Sequence, residues 1–218
     1  MFLMRKFKMS SVAKKTLMAV SGAFMVVFLL FHGSMNVVSI FSESGYEAIC
    51  NFLGANWYAV AGSLVIALFV VVHLLMAFVL SLQNYMARGG QRYKVTNRTV
   101  GWDLRNMIVI GLFVLFGLCF HLYDFWAKMQ LAELLGGEPA SGIERIKFMF
   151  SDNYFSVMYL VWLAVLYIHL AHGVPSVMQS VGWNGRVWQR RIEVIGKIFA
   201  ALVVLMFVSV VIYYWLIY

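Results

Sequence analysis

Charge is what this sequence has least of. Only 12% of its 218 residues are Asp, Glu, Lys or Arg, and 63% are hydrophobic. A water-soluble domain is about 25% charged and about 45–50% apolar, so this composition belongs to a chain that lies almost wholly in a lipid bilayer. Two prolines and long runs rich in Leu, Val, Phe and Met exclude a transmembrane barrel, whose strands alternate polar and apolar residues. The two cysteines, Cys50 and Cys119, form no CxxC motif. That excludes a disulfide framework and a cysteine-ligated cluster. No dinucleotide-binding fingerprint, low-complexity stretch, internal repeat or long linker is present.

What is present is five apolar segments, at about 16–41, 57–83, 106–126, 154–181 and 194–217. Each meets the length of about 20 residues that a spanning helix needs. The expected fold is an all-α integral membrane bundle of five transmembrane helices, with residues 1–218 forming a single domain. The basic N-terminus MFLMRKFKMSSVAKK precedes an apolar run too long for a signal-peptide core, which predicts a retained first span.

The net charge of +8 has a topological explanation, and no nucleic-acid partner is expected. Fourteen Lys and Arg residues fall on one side of the spans: Arg5, Lys6, Lys8, Lys14, Lys15, Arg88, Arg92, Lys94, Arg98, Arg105, Arg186, Arg190, Arg191 and Lys197. Only Lys128, Arg145 and Lys147 fall on the other, with seven of the nine acids. Positive loops stay inside, which predicts a multi-pass protein of a bacterial inner membrane with a cytoplasmic N-terminus. Trp57, Trp102, Trp126, Trp183 and Trp215 stand near span ends, as interfacial anchors do.

All five histidines lie in spans: His32, His73, His121, His169 and His172. Intramembrane ionisable residues point to function, although a histidine also bridges helices by hydrogen bonding. Depth is more informative. From the last polar residue before each span, Lys15 to His32, Asn56 to His73 and Asp152 to His169 are 17 residues each, and Arg105 to His121 is 16. At 1.5 Å per residue each histidine lies about 25 Å from the point where its helix enters. Successive helices run in opposite directions, so His32 and His121 share the outer half and His73 and His169 the inner half.

Two neutral imidazoles in a dry bundle are too few for zinc, which takes four ligands or three and an open position. A di-iron carboxylate centre needs acids, and no span interior was expected to hold one. Two axial imidazoles suit haem iron. The expected cofactors are therefore two haem b groups, with outer ligands His32 and His121 and inner ligands His73 and His169. Gly22, Gly33, Ser34, Gly111, Gly117 and Gly173 are small residues that would let a macrocycle approach, although helix packing uses the same residues.

The stretches SGAFMVVFLLFHGSMN, VVHLLMAFVLSLQN, GLCFHLYDFWAKMQ and HLAHGVPSVMQSVGWN resemble the di-haem cytochrome b membrane anchor of the succinate:quinone oxidoreductases, the succinate dehydrogenases and quinol:fumarate reductases. The resemblance runs from about Lys14 to the C-terminus. It includes the spacing from His169 to Gly173 and the Gly182-Trp183 element. It implies the same ligand pairing. It also implies a flavoprotein subunit and an iron–sulphur subunit on the cytoplasmic face, electron transfer to or from a membrane quinone, usually menaquinone, and assembly as a dimer of heterotrimers. Such a chain does not oxidise succinate by itself.

The sequence departs from relatives in two places. Tyr167 stands where some have a proton-handling glutamate, and the region Asn51 to Gly54 lacks the acid of another relative's quinol site. Glu47, Asp124 and Asn36 are the outer-side polar candidates. His172 lies one turn beyond His169, about 4.5 Å nearer the cytoplasm, and is expected to meet a propionate or a backbone group and not to ligate iron. Two rival readings share these features: an anchor for another dehydrogenase, and a non-redox transporter whose histidines are structural.

Overall fold

The computed structural model describes residues 9–88, 102–183 and 185–218. Arg5, Lys6, Lys8, Arg92, Lys94 and Arg98 lie outside the described residues, as do the side chains of Arg88, Trp102, Arg105 and Arg186. Among the described residues every regular element is helical: α1 (Ser11–Phe41), α2 (Glu43–Phe52), α3 (Trp57–Arg88), α4 (Trp102–His121), a π-helical segment (Leu122–Leu131), the short turn α5 (Ala132–Leu134), α6 (Gly142–Phe150), α7 (Asn153–Ser180) and α8 (Arg186–Ile217). Five of the helical rods are long and apolar enough to cross a membrane, as in a multi-pass membrane protein.

The ends of the rods follow capping chemistry. Ser10 caps α1 by accepting from the Ala13 N–H at 3.1 Å. The Asp152 carboxylate caps α7 by accepting from Tyr154 N at 2.7 Å and Phe155 N at 3.2 Å, which satisfies two of the four free N–H groups that every helix start exposes. At the far end of α7, Gly182 has φ +99° and donates to Gln179 O, while Trp183 N donates to Met178 O. That is a Schellman stop. The Gly182-Trp183 element therefore has a structural role, turning the chain from α7 into α8.

The spans differ from the sequence-based bounds mainly at helix ends that apolar counting cannot see. The first begins at Ser11 rather than 16, the second runs on to Arg88, and the fifth begins at Arg186 rather than 194. Each extension is polar enough to escape a hydropathy window yet contains no helix breaker. The third span shows the largest change. It does not stop near 126 but continues as a π-helix and then α5 to Leu134. The Asp124 carbonyl accepts from Arg145 Nε at 2.7 Å. A side chain inserted into the backbone ladder in this way loosens α geometry. The extension also brings Lys128 into the rod, one turn beyond Asp124, which lies near the end of the expected 106–126 span.

Helix α7 is the hub. It packs along α8, α4 and α1, and α1 packs in turn on α3 and α8. The core is the α7–α8 seam, where Leu163, Leu166 and Leu170 meet Ala200, Val203 and Val204. Gly196 lies against Pro175, where a side chain would press on the proline ring. At the end of the bundle where α1 stops, α2 and α6 bury Tyr46, Ile146, Met149 and Phe150. Tyr214, fully buried, donates its hydroxyl to Ser39 O at 2.9 Å and ties α8 to α1. Leu64, Leu68, Leu75 and Phe78 of α3 and Leu112, Phe113 and Phe116 of α4 face outward, where lipid acyl chains would cover them.

Candidate functional site

The bundle brings four of the five histidines together in two separate pairs. The rings of His32 (α1) and His121 (α4) lie 5.9 Å apart between centroids, with planes at 76°. Those of His73 (α3) and His169 (α7) lie 6.2 Å apart at 67°. Two imidazoles that share one metal ion sit about 6 Å apart between centroids, because each bond is about 2 Å and each nitrogen stands about 1 Å from its ring centre. Both pairs have that spacing.

The pairs occupy different levels. Ser21 touches His73, and His32 is eleven residues further along the same helix. Gly111 lies beside His169, and His121 is ten residues further along α4. Both helices therefore separate the two pairs by about 15 to 17 Å along the bundle axis.

The pairs also join helices that share no main seam of the bundle. The main interhelical seams join α1 to α3, α7 and α8, and α4 to α7, and neither α1 with α4 nor α3 with α7 is among them. The level of His32 and His121 is aromatic. Phe28 stacks on His32 at 5.4 Å and Phe207 lies 5.7 Å away. Phe125 and Trp162 pack on His121 at 5.1 and 5.9 Å. Trp162 is held there by its indole N–H donating to Val114 O at 3.2 Å.

Ring nitrogens distinguish ligation from simple helix bridging. In the inner pair, His73 Nδ1 lies 3.3 Å from Ser21 Oγ. In the outer pair, His32 Nδ1 lies 3.5 Å from Asn36 Nδ2. His121 Nδ1 and His169 Nδ1 are buried with no hydrogen-bond partner. A histidine placed only to bridge helices would have its buried nitrogens paired, since an unpaired buried polar atom costs about 1–3 kcal/mol. Two orphaned nitrogens on rings with metal-sharing spacing fit a group that takes one nitrogen from each ring. Among the described residues no cluster of three or more His, Cys, Asp or Glu side chains is arranged around a metal. Each pair thus offers two imidazoles to a shared group. His172 is half-buried, has an interaction of its own and belongs to neither pair.

The small residues divide differently from the expectation. Gly22 lies against His73, where a Cβ would stand 3.5 Å from Cε1, and a Cβ on Gly111 would stand 4.0 Å from the same atom of His169. Gly33 faces Met206 and Phe207, and Gly117 is filled by the Trp162 indole. Gly173 has open space around it. Ser34 donates to Leu30 O of its own helix at 2.8 Å. Only Gly22 and Gly111 adjoin the rings, and the Gly33 and Gly117 positions serve helix packing.

The outer polar candidates are structural in their contacts. Asp124 is buried and paired with Arg145 at 2.6 Å and Lys128 at 3.1 Å. Glu47 accepts from Ser141 Oγ and Ile143 N, both at 3.2 Å, and so ties α2 to α6. Asn36 donates to His32 O at 2.8 Å and accepts from Tyr46 OH at 3.4 Å, so it alone of the three adjoins a paired histidine. Tyr159 and Ser21 were not singled out by the sequence. The Tyr159 hydroxyl is buried without a partner, and its ring lies 6.3 Å from that of His121. A hydroxyl two turns from a cluster of basic residues was the only sequence signal for Ser21.

Comparison with protein-family models, with curated proteins and with solved structures finds no match.

Proposed function

We propose that this chain is the membrane-anchoring di-haem cytochrome b subunit of a succinate dehydrogenase or fumarate reductase complex, moving electrons between an iron–sulphur subunit and a quinone, with menaquinone the expected one. The observation that carries the proposal is the pair of histidine pairs: four imidazoles on four successive spans, at two levels, each pair with the ring spacing of a shared metal ion. Haem iron held at each level supplies a one-electron carrier, and two levels make a relay across the bilayer.

The chain's own residues provide the rest. His32 with His121 and His73 with His169 would hold the two groups. Phe28, Phe125, Trp162 and Phe207 keep water from the outer pair. Lys14, Lys15, Arg190, Arg191 and Lys197 gather at the end of the bundle nearer the His73 pair, because α1 and α8 both start there. On the proposed topology this end is cytoplasmic and receives the flavoprotein and iron–sulphur subunits. A quinone at the outer level completes the path.

The optical spectrum of the purified chain in detergent tests the proposal. A Soret band, with a sharp α band on reduction by dithionite, is expected. A colourless protein purified from haem-replete cells would leave the histidines as structural residues and overturn it.

A further inference from the structure

We infer that Ser21 is the positioning residue for the inner site: its hydroxyl oxygen fixes His73 as the tautomer that carries its proton on Nδ1 and presents Nε2 as a free lone pair. This rests on the proposed di-haem reading and adds a residue that sets one ligand of one site.

The argument is one of proton counting. Ser21 is 1% exposed, so no water supplies it with partners. Its single hydroxyl proton lies between two carbonyls of its own helix, Leu17 O at 2.7 Å and Met18 O at 3.1 Å. Towards His73 Nδ1, 3.3 Å away, the oxygen then serves as acceptor, beside a hydrogen bond between the same histidine and the Met18 backbone. A hydroxyl has one donor and two acceptor positions, and here the donor is already committed. Nδ1 must then hold the ring proton. In a neutral imidazole the other nitrogen is unprotonated, which is the state a metal ligand requires.

The ring is also held in place. It lies against the α1 backbone at Gly22, where a Cβ would make van der Waals contact with Cε1 and Nδ1 at 3.5 and 3.7 Å. An accepted hydrogen bond at the remote nitrogen raises the basicity of a ligating histidine. The Ser21 contact would therefore strengthen His73 as a donor and stabilise the oxidised state of a metal it holds. Its loss should raise the reduction potential of the inner group and leave the outer one alone.

The test uses the full chain in its complex, with wild type, Ser21→Ala, Ser21→Thr and His73→Ala compared. Haem per chain, the two midpoint potentials and the low-spin electron paramagnetic resonance signals are recorded. Ser21→Ala is expected to move one potential upward and shift one signal, and Ser21→Thr, which keeps the hydroxyl, to restore both. If Ser21→Ala loses one haem instead, recovery of that haem in Ser21→Thr also supports the inference. Loss in both variants overturns it, because the hydroxyl is then not what matters. Two haems with unmoved potentials and signals in Ser21→Ala overturn it too. Failure of the parent reading shows separately, as no change in haem content in His73→Ala.

Discussion

His73 and His169 stand 6.2 Å apart across a gap between α3 and α7, with Ser21 against the first ring and nothing against Nδ1 of the second. His172, one turn on along α7, takes no part in that pair. On this account His169→Ala lowers the haem content from two to one per chain, whereas His172→Ala keeps two and at most moves one potential. Haemochrome analysis of both variants decides. The opposite result would place the inner ligand one turn nearer the cytoplasm.

Gly117 gives a packing prediction that is independent of any cofactor. A Cβ there would overlap the Trp162 indole, and Trp162 in turn packs on His121. Gly117→Val should displace the indole and cost about 1–3 kcal/mol through overpacking. The melting temperature in detergent should fall, and the signal of the outer group alone should broaden. An unchanged melting temperature would mean that α4 and α7 are spaced more widely than described.

The Asp124–Arg145 pair joins the third rod to α6 with both side chains largely buried. Removing one member of a buried pair costs about 3–5 kcal/mol when the remaining charge is uncompensated, and Lys128, 3.1 Å from Asp124, offsets part of that when Arg145 is lost. Arg145→Met should therefore be more destabilising than the double replacement with Asp124→Asn. Chemical denaturation of the three variants measures it. A loss in the double variant equal to the sum of the two single losses would show that the pair is not coupled.

Cys50 lies on α2 beside Tyr46 and Gly142. Burial pushes its thiol up from near 9 to about 11. The thiolate is the reactive form, so maleimide labelling at pH 8 should be slow and should rise steeply only towards pH 11. The sign for stability follows. The neutral thiol favours the folded cap below pH 9, and that contribution fades as pH rises through 11. Rapid labelling at pH 8 would show that α2 does not cover the thiol.

The histidine pairs were legible in the sequence because polar residues are so rare in these spans. A nearly constant distance from each helix start assigns a level by itself, and the levels bring together the residues that the bundle pairs. The α2 and α6 caps were not legible. At ten and nine residues, with apolar and charged residues mixed, they look like loops to a hydropathy window. The continuation of the third rod to Leu134 was hidden for a related reason. Asp124 and Lys128 end an apolar count, and the burial of Asp124 is offset by Lys128 on its own helix and by Arg145 arriving from α6. Ser21 and Trp162 each act through a partner on another helix, Ser21 on His73 and Trp162 beside Gly117, and no local pattern marks such a meeting.

The most direct measurement of the central claim is haem per chain in paired histidine variants, by pyridine haemochrome against protein concentration. The account predicts two haems in the wild type and one in each of His32→Ala, His73→Ala, His121→Ala and His169→Ala. It predicts one in the double variant His32→Ala/His121→Ala, because both losses fall in one site, and none in His32→Ala/His73→Ala, because each falls in a different site. One haem surviving in the cross-pair double variant, or none surviving in the within-pair one, would contradict the pairing and with it the two-level relay.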